Sequence, residues 1–415
     1  MKPKFFYGYI IVLAAVSITA IAWGANRTFG VFFEPIISEF GWTRASISGA
    51  YTLGMIITGL LGIVAGRLND RFGPRLVLTV CGSFMGLGYL LLSQIGAIWQ
   101  LYLFYGVAIG IGMSGIFVPL VSTATKWFVK RRGLMTGIVA AGPGFGMTTM
   151  PLLASWLISS YGWRISYFII GIVALVLIIS VAQFFRRDPS QTGQLPYGED
   201  EVKKEGLNAK VTGVSLQEAI CTRQFWRLSF VLFGGFFTLN VVMVHIVLHA
   251  LDLGISSITA ATILSTAAGL SIVGRIIIGG VSDRIGSKLA LIISISLTLV
   301  AFLWLLVAKE LWMLYLFAII FGLSDWAIFP VVSLMVAELF GMSSHGEIYG
   351  ATFFSGTIGG AIGPVLAGHI FDITSSYHLA FLVCVAISIV GLILILPLKE
   401  GQLTRKEAKV LSESS

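Results

Sequence analysis

The sequence GRLNDRFGPR at residues 66–75 returns in altered form as GGVSDRIGSK at residues 279–288. Five positions carry the same type of residue in both copies, and the distance along the chain between matched positions is the same each time. The shared residues are two glycines, an aspartate, an arginine and a final basic residue. The matched pairs are Gly66 with Gly279, Asp70 with Asp283, Arg71 with Arg284, Gly73 with Gly286, and Arg75 with Lys288. This agreement indicates a chain built by internal duplication.

Long apolar segments surround both copies of this loop. Of 415 residues, 57% are hydrophobic and 11% are charged, whereas soluble domains are about 25% charged. Runs of about 20 apolar residues, the length needed to cross the hydrocarbon core, recur along the whole chain. They are continuously apolar, which excludes the alternating pattern of a membrane β-barrel. We therefore predict an all-α membrane protein.

The apolar segments predict twelve transmembrane helices in two six-helix pseudo-repeats. The predicted spans are 8–34, 45–66, 75–95, 99–124, 134–159, 163–185, 226–250, 257–281, 288–308, 311–339, 347–372 and 378–398. One long polar stretch divides them six and six. We predict an N-terminal six-helix bundle at 1–185, a cytoplasmic linker at 186–225, and a C-terminal six-helix bundle with a cytoplasmic tail at 226–415.

The distribution of basic residues predicts the orientation. Of the 27 lysines and arginines, 22 fall in segments that this topology assigns to the cytoplasm, the bias that orients membrane proteins. We expect a multi-pass protein of the cell (inner) membrane with both termini in the cytoplasm. This topology and contact with anionic lipids account for the net charge of +8, so no nucleic-acid partner is predicted.

The duplicated loop resembles the signature of the major facilitator superfamily. The resemblance implies the major facilitator fold and a transport function. It also implies that Asp70 and Arg71 latch the cytoplasmic ends of the two halves together in the outward-open state. The same gating role is predicted for the other members of the two copies, which are Gly66, Gly73, Arg75, Asp283 and Arg284.

The loop before the fifth span carries a narrower resemblance, to the monocarboxylate transporters. It reads WFVKRRGL at residues 127–134 and leads into a helix rich in small residues. The first span adds YGY at residues 7–9 and GVFF at residues 30–33, in places similar to those of that family. Pro143 departs from the pattern and is similar to a proline in the fifth span of exchangers. The sequence therefore leaves symport and exchange open.

Two arginines inside the spans are the predicted substrate-binding residues, since intramembrane charges are costly and usually functional. Arg275 lies roughly 13 Å from the cytoplasmic end of span eight, counted at about 1.5 Å per residue. The resemblance places it at the substrate-binding arginine of monocarboxylate and oxalate–formate transporters, and places Arg27 where many monocarboxylate transporters have a lysine. A guanidinium can bind a carboxylate through two hydrogen bonds. The alternatives are an ion pair of Arg275 with Asp325, and an Arg27 side chain that extends outward.

The resemblance also places an acid four residues before Arg275, but this chain has Ser271 there. Asp325, roughly 20 Å below the outer start of span ten at about 1.5 Å per residue, is the first candidate for proton coupling. A carboxyl group in a low-dielectric environment favours its protonated form. Asp252, at the outer end of span seven, is the second candidate, and its alternative role is a charged residue that closes a helix.

His245 and His249 share one face of span seven with Asp252, because the three are four and three residues apart. This spacing suggests a proton relay from the outside. The alternative is a polar stripe at the membrane interface. The three residues lack a further convergent ligand, so no metal site is predicted.

No nucleotide-binding loop, nucleophile elbow or catalytic triad is recognisable, so neither an enzyme nor a cofactor is predicted. The first hypothesis is a secondary active transporter of small monocarboxylates, lactate or pyruvate in type, by proton-coupled symport and alternating access. Its partners would be a small organic anion, a proton and the lipid bilayer, and it would work as a monomer. The alternatives are an organic-anion exchanger of the oxalate–formate type, whose span-eleven lysine this chain lacks, and a transport-dead membrane sensor.

Overall fold

The computed structural model describes residues 6–198 and 213–398, and most of these residues lie in helices. Within those ranges, extended pairing is limited to two isolated bridges, Phe128 with Tyr197 and Gly213 with Gly341. Apolar side chains cover much of the helical surface, and Leu152 and Val365 are each 72% exposed. A surface this rich in exposed large apolar groups is suited to lipid rather than to water.

The chain divides into two compact units. The first comprises Met1–Val129 and Gly142–Leu207, and the second comprises Lys130–Ala141 and Asn208–Ser415. Segment Lys130–Ala141 belongs to the second unit because its backbone packs closely there, and a Cβ added to Gly137 would collide with the carbonyl oxygen of Arg275. The linker boundaries at 186 and 225 stay a prediction, and residues 199–212 lie outside the described part of the chain.

Six membrane-spanning helices precede the linker. They are α1 (Gly8–Phe40), α2 (Arg44–Phe72), α3 (Pro74–Leu92), α4 (Ile98–Trp127), α5 (132–161) and α6 (163–182). Helical hydrogen bonding runs through the 51 residues Arg132–Ala182, but Gly162, with φ +78° and ψ 163°, separates α5 from α6. Glycine reaches this positive φ at little steric cost, so one residue suffices to end one span and start the next.

Six further helices follow the linker. They are α7 (Arg223–Asp252), α8 (Ser257–Ile285), α9 (Ser287–Leu305), α10 (Leu311–Phe340), α11 (His345–Thr374) and α12 (His378–Ile395). The helices of the described residues confirm the predicted all-α fold of twelve spans in two sets of six. The first span is longer than predicted, because α1 continues to Phe40. The chain is a multi-pass membrane protein.

Glycines bring equivalent helix pairs together in the two halves. In the first unit, a Cβ added to Gly146 of α5 would collide with the carbonyl oxygen of Ala20 in α1. In the second unit, a Cβ added to Gly359 of α11 would collide with the carbonyl oxygen of Phe233 in α7. Small residues allow membrane helices to approach at the backbone, and their recurrence supports the internal duplication.

Helix α10 is interrupted in its middle. Regular helix covers Leu311–Ser324, a 3-10 turn covers Asp325–Ala327, and regular helix resumes at Ile328. Pro330 gives a physical reason, because it lacks the N–H group that would bond to the carbonyl of Trp326, four residues earlier. The interruption falls at the one aspartate of α10, which the sequence had singled out.

Candidate functional site

Arg275 is buried in the middle of α8, with 2% of its surface exposed. Its Nη1 donates a hydrogen bond to the carbonyl oxygen of Ala140, and its guanidinium lies 4.3 Å from the ring centroid of Trp326. Its Nε has no hydrogen-bond partner among the described residues. A buried donor without an acceptor costs free energy, so this guanidinium retains bonding capacity for an anion.

Close backbone contacts hold the surroundings of Arg275 in place. A Cβ added to Gly274 of α8 would collide with the carbonyl oxygen of Leu323 in α10, and Gly137 of α5 packs directly on the Arg275 backbone. The arginine therefore projects from a packed helix rather than from a loop. Sites on packed helices hold a side chain in one orientation more firmly than sites on loops do.

Asp325 occupies a separate environment in the same unit. It is fully buried, and its Oδ1 accepts a hydrogen bond from Thr238 at 3.0 Å. Its Oδ2 has no partner in the described part of the chain. The carboxyl group lines a cavity of about 20 Å³ bordered by α7, α9, α10 and α12, enough room for one water molecule.

The alternative of an ion pair between Arg275 and Asp325 is not supported. Within the described residues, Arg275 contacts Ala140 and Trp326, whereas Asp325 bonds to Thr238. The two environments are instead connected through the backbone of α10, because Asp325 and Trp326 are neighbours in the 3-10 turn. A change in the backbone of this turn would therefore displace both the Asp325 and the Trp326 side chains.

Arg27 lies in α1, in the first unit, and its Nε has no partner among the residues that the structure describes. The same holds for the indole N–H of Trp23, one turn earlier. The intervening Asn26 exchanges two hydrogen bonds with Tyr105, at 3.2 and 3.1 Å. Two neighbouring buried N–H groups of one helix are thus available to an acceptor, and the sequence had identified only the arginine.

His245 and His249 both contact Tyr377, at the start of α12. The Nδ1 atom of His245 lies 3.2 Å from Tyr377 Oη, and its Nε2 lies 2.9 Å from the carbonyl oxygen of Pro364. A carbonyl only accepts, so Nε2 carries a hydrogen, and Tyr377 donates to Nδ1 when the imidazole is neutral. The ring of His249 packs edge-on against Tyr377, with centroids 6.0 Å apart.

The surroundings of Tyr377 favour a protonated phenol. Burial and the nearby carboxylate of Asp252 raise the pKa of Tyr377, so the hydroxyl keeps its hydrogen. Asp252 itself is exposed at the end of α7. The structure therefore brings the two histidines together around a tyrosine and places the aspartate at the edge of this group. The relay and the polar stripe both fit this arrangement.

The two copies of the duplicated loop make different contacts. Asp70 forms an ion pair with Lys126 at 2.7 Å. Its counterpart Asp283 accepts hydrogen bonds from the backbone N–H groups of residues 133 and 134, at 2.6 and 2.8 Å. Those groups begin α5, and a negative charge is favoured at a helix N-terminus. The sequence repeat thus supports two different local interactions.

The remaining loop residues also have defined places. Of the glycines, Gly66 is buried and Gly73 has φ +86°. Of the arginines, Arg71 lies 5.1 Å from the ring centroid of Phe72, and Arg75 donates a hydrogen bond to Gln183 at 2.7 Å. Arg284 is exposed. The positive φ of Gly73 explains the glycine, because side chains other than glycine are strained there. The gating role of these residues stays a prediction.

Replacing Asp70 with asparagine is expected to slow cycling without weakening substrate affinity. The substitution leaves Lys126 without its charged partner, in a pair whose side chains are only 10% and 16% exposed. Losing such a partly exposed contact costs about 1–2 kcal/mol, between the values for exposed and for buried ion pairs, or roughly five- to thirtyfold in rate. Initial rates and KM in proteoliposomes measure this effect. Glu39→Gln is the matched control, because it removes an exposed ion pair with Arg164, and unchanged cycling in Asp70→Asn would contradict the latch.

Sequence reasoning missed the partners that surround each ionisable residue. Trp326, Thr238 and Tyr377 are ordinary apolar or hydroxyl residues in the sequence, and only their spatial positions single them out. Trp326 could have been noticed as the neighbour of Asp325. No group of three or more His, Cys, Asp or Glu residues placed to hold a metal occurs in residues 6–198 and 213–398.

Similarity to known proteins covers nearly the whole chain. The family model described as "Major Facilitator Superfamily" matches residues 13–302 and 246–413. "Monocarboxylate transporter 13" of Rattus norvegicus is 29% identical over 393 residues, which are 93% of this chain and 87% of the relative. "Monocarboxylate transporter 12" of Homo sapiens is 24% identical over 400 residues, covering 91% of this chain and 78% of the relative.

Solved structures show the same fold. The fucose:proton symporter FucP of E. coli superimposes with a TM-score of 0.68 at 14% identity, covering 94% of this chain and 98% of FucP. The proton:xylose symporter XylE also gives a TM-score of 0.68 at 14% identity, covering 98% and 99%. At such identity these two show the fold alone. By its family match and its relatives, the chain belongs to the major facilitator superfamily and is a transporter, not an enzyme, related to the monocarboxylate transporters.

Proposed function

We propose that this protein moves small monocarboxylates, lactate or pyruvate in type, together with protons by alternating access. The observation that carries the proposal is the buried guanidinium of Arg275, whose Nε lacks a partner among the described residues. A buried arginine is retained in a membrane helix at a cost of several kcal/mol. An anionic ligand that enters and leaves during the transport cycle accounts for this cost.

The chemistry of Arg275 suits a carboxylate. Its guanidinium is planar and presents N–H groups in a fork that matches two carboxylate oxygens. Trp326 lies against the guanidinium and helps to fix its orientation through a cation–π interaction. Arginine does not lose its proton in proteins, so Arg275 is assigned to substrate binding and another group must carry the proton.

Asp325 is the proposed proton carrier, with Asp252 as the second candidate. Burial of a carboxyl group favours the protonated form, and reorganisation of its surroundings can release the proton. The 3-10 turn places Asp325 next to Trp326, which contacts Arg275. Protonation at Asp325 and anion binding at Arg275 can therefore influence each other through α10. His245 and His249 are proposed as a relay from the outer surface.

The proposed setting is the cell (inner) membrane, with both termini cytoplasmic and the monomer as the functional unit. The orientation is supported by the excess of lysine and arginine in the segments assigned to the cytoplasm. Monocarboxylates are favoured over dianions such as oxalate because the second-half helices supply one buried arginine, Arg275, and α11 has no lysine or arginine between His345 and Thr374.

An organic-anion exchanger is the second candidate, and Arg27 is the observation that favours it. Its Nε and the indole N–H of Trp23 lack partners in the described part of the chain. A second buried cationic group suits a substrate with two negative charges, such as oxalate. In that case Arg27 would contribute to substrate binding as much as Arg275 does.

Uptake into proteoliposomes tests the proposal. Labelled C2 to C6 acids are offered at two pH values, and counterflow is measured with and without an inward-directed pH gradient. We expect lactate or pyruvate to accumulate against its gradient only when the pH gradient is present. Oxalate counterflow at the same rate with and without the pH gradient would favour the exchanger. Absence of transport for every acid would favour the sensor.

A further inference from the structure

The hydroxyl groups that line the cavity beside Asp325 are those of Thr238, Thr298 and Ser388. Each of them has an acceptor for its hydrogen other than Asp325, and Ser324, which does not line the cavity, lies next to Thr298. Ser388 of α12 donates to the carbonyl oxygen of Cys384, one turn earlier, at 2.9 Å. Ser324 donates to the carbonyl oxygen of Ile320 at 2.8 Å, and its Oγ lies 3.1 Å from Oγ1 of Thr298. When a hydroxyl group donates its hydrogen to a carbonyl oxygen of its own helix, the hydroxyl oxygen can only accept hydrogen bonds or bind a cation.

Thr238 gives the clearest indication. Its Oγ1 lies 2.9 Å from the carbonyl oxygen of Gly234, 3.0 Å from that of Gly235 and 3.0 Å from Oδ1 of Asp325. One hydroxyl hydrogen cannot satisfy three acceptors. When Thr238 donates within its own helix, its oxygen and the ionised carboxylate of Asp325 face each other as two acceptors. A positively charged or protonated group is then needed between them.

The charge of the cavity limits what that group can be. Asp325 is the charged residue among those that line it, and the buried thiol of Cys384 is a further titratable group nearby. An ionised carboxylate in a low-dielectric interior requires compensation. Arg275 does not supply it, because its guanidinium bonds to Ala140 and stacks on Trp326. One positive charge balances the site, and two would leave it charged.

We propose that this cavity binds one small monovalent metal cation, Na⁺ in type, through the carboxylate of Asp325 and the hydroxyl oxygens of Thr238, Thr298 and Ser388. Hard cations prefer oxygen ligands. The cavity of about 20 Å³ has room for one ion without its water shell. Interrupted membrane helices commonly contribute to Na⁺ and proton sites in transporters, and α10 is interrupted at Asp325.

The metal cation and the proton compete for the same carboxylate. The inference goes beyond the proposed function, because it depends on the cavity and not on the substrate. Unfolding of the purified protein tests it without any transport measurement. The hypothesis of proton-coupled transport can therefore be refuted while the cation site is confirmed. Equally, the cation site can be refuted while proton-coupled transport is confirmed.

The experiment measures the melting temperature of the full chain in detergent at pH 8 and constant ionic strength. NaCl, LiCl or KCl replaces choline chloride stepwise. A ligand that binds only the folded state raises Tm with its concentration. We expect a saturable rise of about 3 °C or more with Na⁺ and Li⁺, and a smaller rise with K⁺. Equal Tm in NaCl and choline chloride would overturn the proposal.

Three variants complete the test. Asp325→Asn should remove the Na⁺ effect and melt in choline chloride at or above the wild-type temperature, because no buried charge remains. Thr238→Val should raise the Na⁺ concentration at half-effect at least tenfold. Thr352→Val is the matched control, because this buried hydroxyl bonds within α11 at 2.8 Å and does not line the cavity. A Na⁺ effect that is unchanged in Thr238→Val, or lost equally in Thr352→Val, would also overturn the proposal.

Discussion

Replacing Arg275 with lysine is expected to lower substrate uptake at least tenfold, and by about a hundredfold or more if two hydrogen bonds to the carboxylate are lost. A charged hydrogen bond contributes about 1.5–3 kcal/mol, and about 1.4 kcal/mol is tenfold in rate. Lysine keeps the charge but lacks the planar fork. Its single ammonium group cannot bond to Ala140, stack on Trp326 and hold a substrate carboxylate at once.

The measurement is initial uptake of lactate or pyruvate in proteoliposomes, with protein amount and monodispersity checked by size-exclusion chromatography. Insertion should be unaffected, because the helix keeps its length and its charge. Arg227→Lys is the matched control, since Arg227 lies near the start of α7, far from Arg275 in sequence, and donates to the carbonyl oxygen of Pro397 at 3.4 Å. Near-normal uptake by Arg275→Lys would refute the proposed role in substrate binding.

The twelve spans could be predicted from the sequence because a membrane helix is specified locally. About 20 apolar residues in succession cross the hydrocarbon core whatever their neighbours are. The separation of α5 from α6 at Gly162 was also predictable, since the apolar runs 134–159 and 163–185 are interrupted there. The assignment of Lys130–Ala141 to the second unit was not, because it depends on backbone contacts of Gly133 and Gly137 with residues far along the chain.

The position of Arg275 along its membrane helix could be predicted from the sequence, but the residues that its guanidinium contacts could not. Residue counting at about 1.5 Å per residue gives the position along a helix. It does not identify the side chains of other helices that meet it. The contacts with Ala140 and Trp326 join residues separated by 135 and by about 50 positions. Such pairs follow from helix packing, which a single sequence does not specify.

The face of Asp325 could not be predicted for a different reason. In a continuous α-helix, 3.6 residues per turn fix the direction of every side chain. The 3-10 turn at Asp325–Ala327 has about 3.0 residues per turn, so the directions before and after it are no longer related by simple counting. Asp325 consequently lines a cavity with Thr238, while Trp326 contacts Arg275.

Replacing Asp325 with asparagine should abolish uphill uptake driven by an inward-directed pH gradient while sparing substrate exchange. Asparagine has nearly the same size and can accept the hydrogen bond that Thr238 gives to Asp325 at 3.0 Å. It cannot bind or release a proton. Because it resembles the protonated acid, it should keep the loaded carrier competent to exchange, and the accumulation ratio should fall to about one.

Counterflow and gradient-driven accumulation of lactate or pyruvate are measured side by side in Na⁺-free choline buffers, so that a metal cation cannot replace the proton. Asp252→Asn is the comparison, and we expect it to do less because Asp252 is exposed at the end of α7. If Asp325→Asn still concentrates substrate and Asp252→Asn does not, the proton binds at Asp252, at the end of α7, and His245 and His249 become the path to it. If both variants concentrate substrate as the wild type does, neither Asp325 nor Asp252 carries the proton, and the assignment of proton coupling to these carboxylates is overturned.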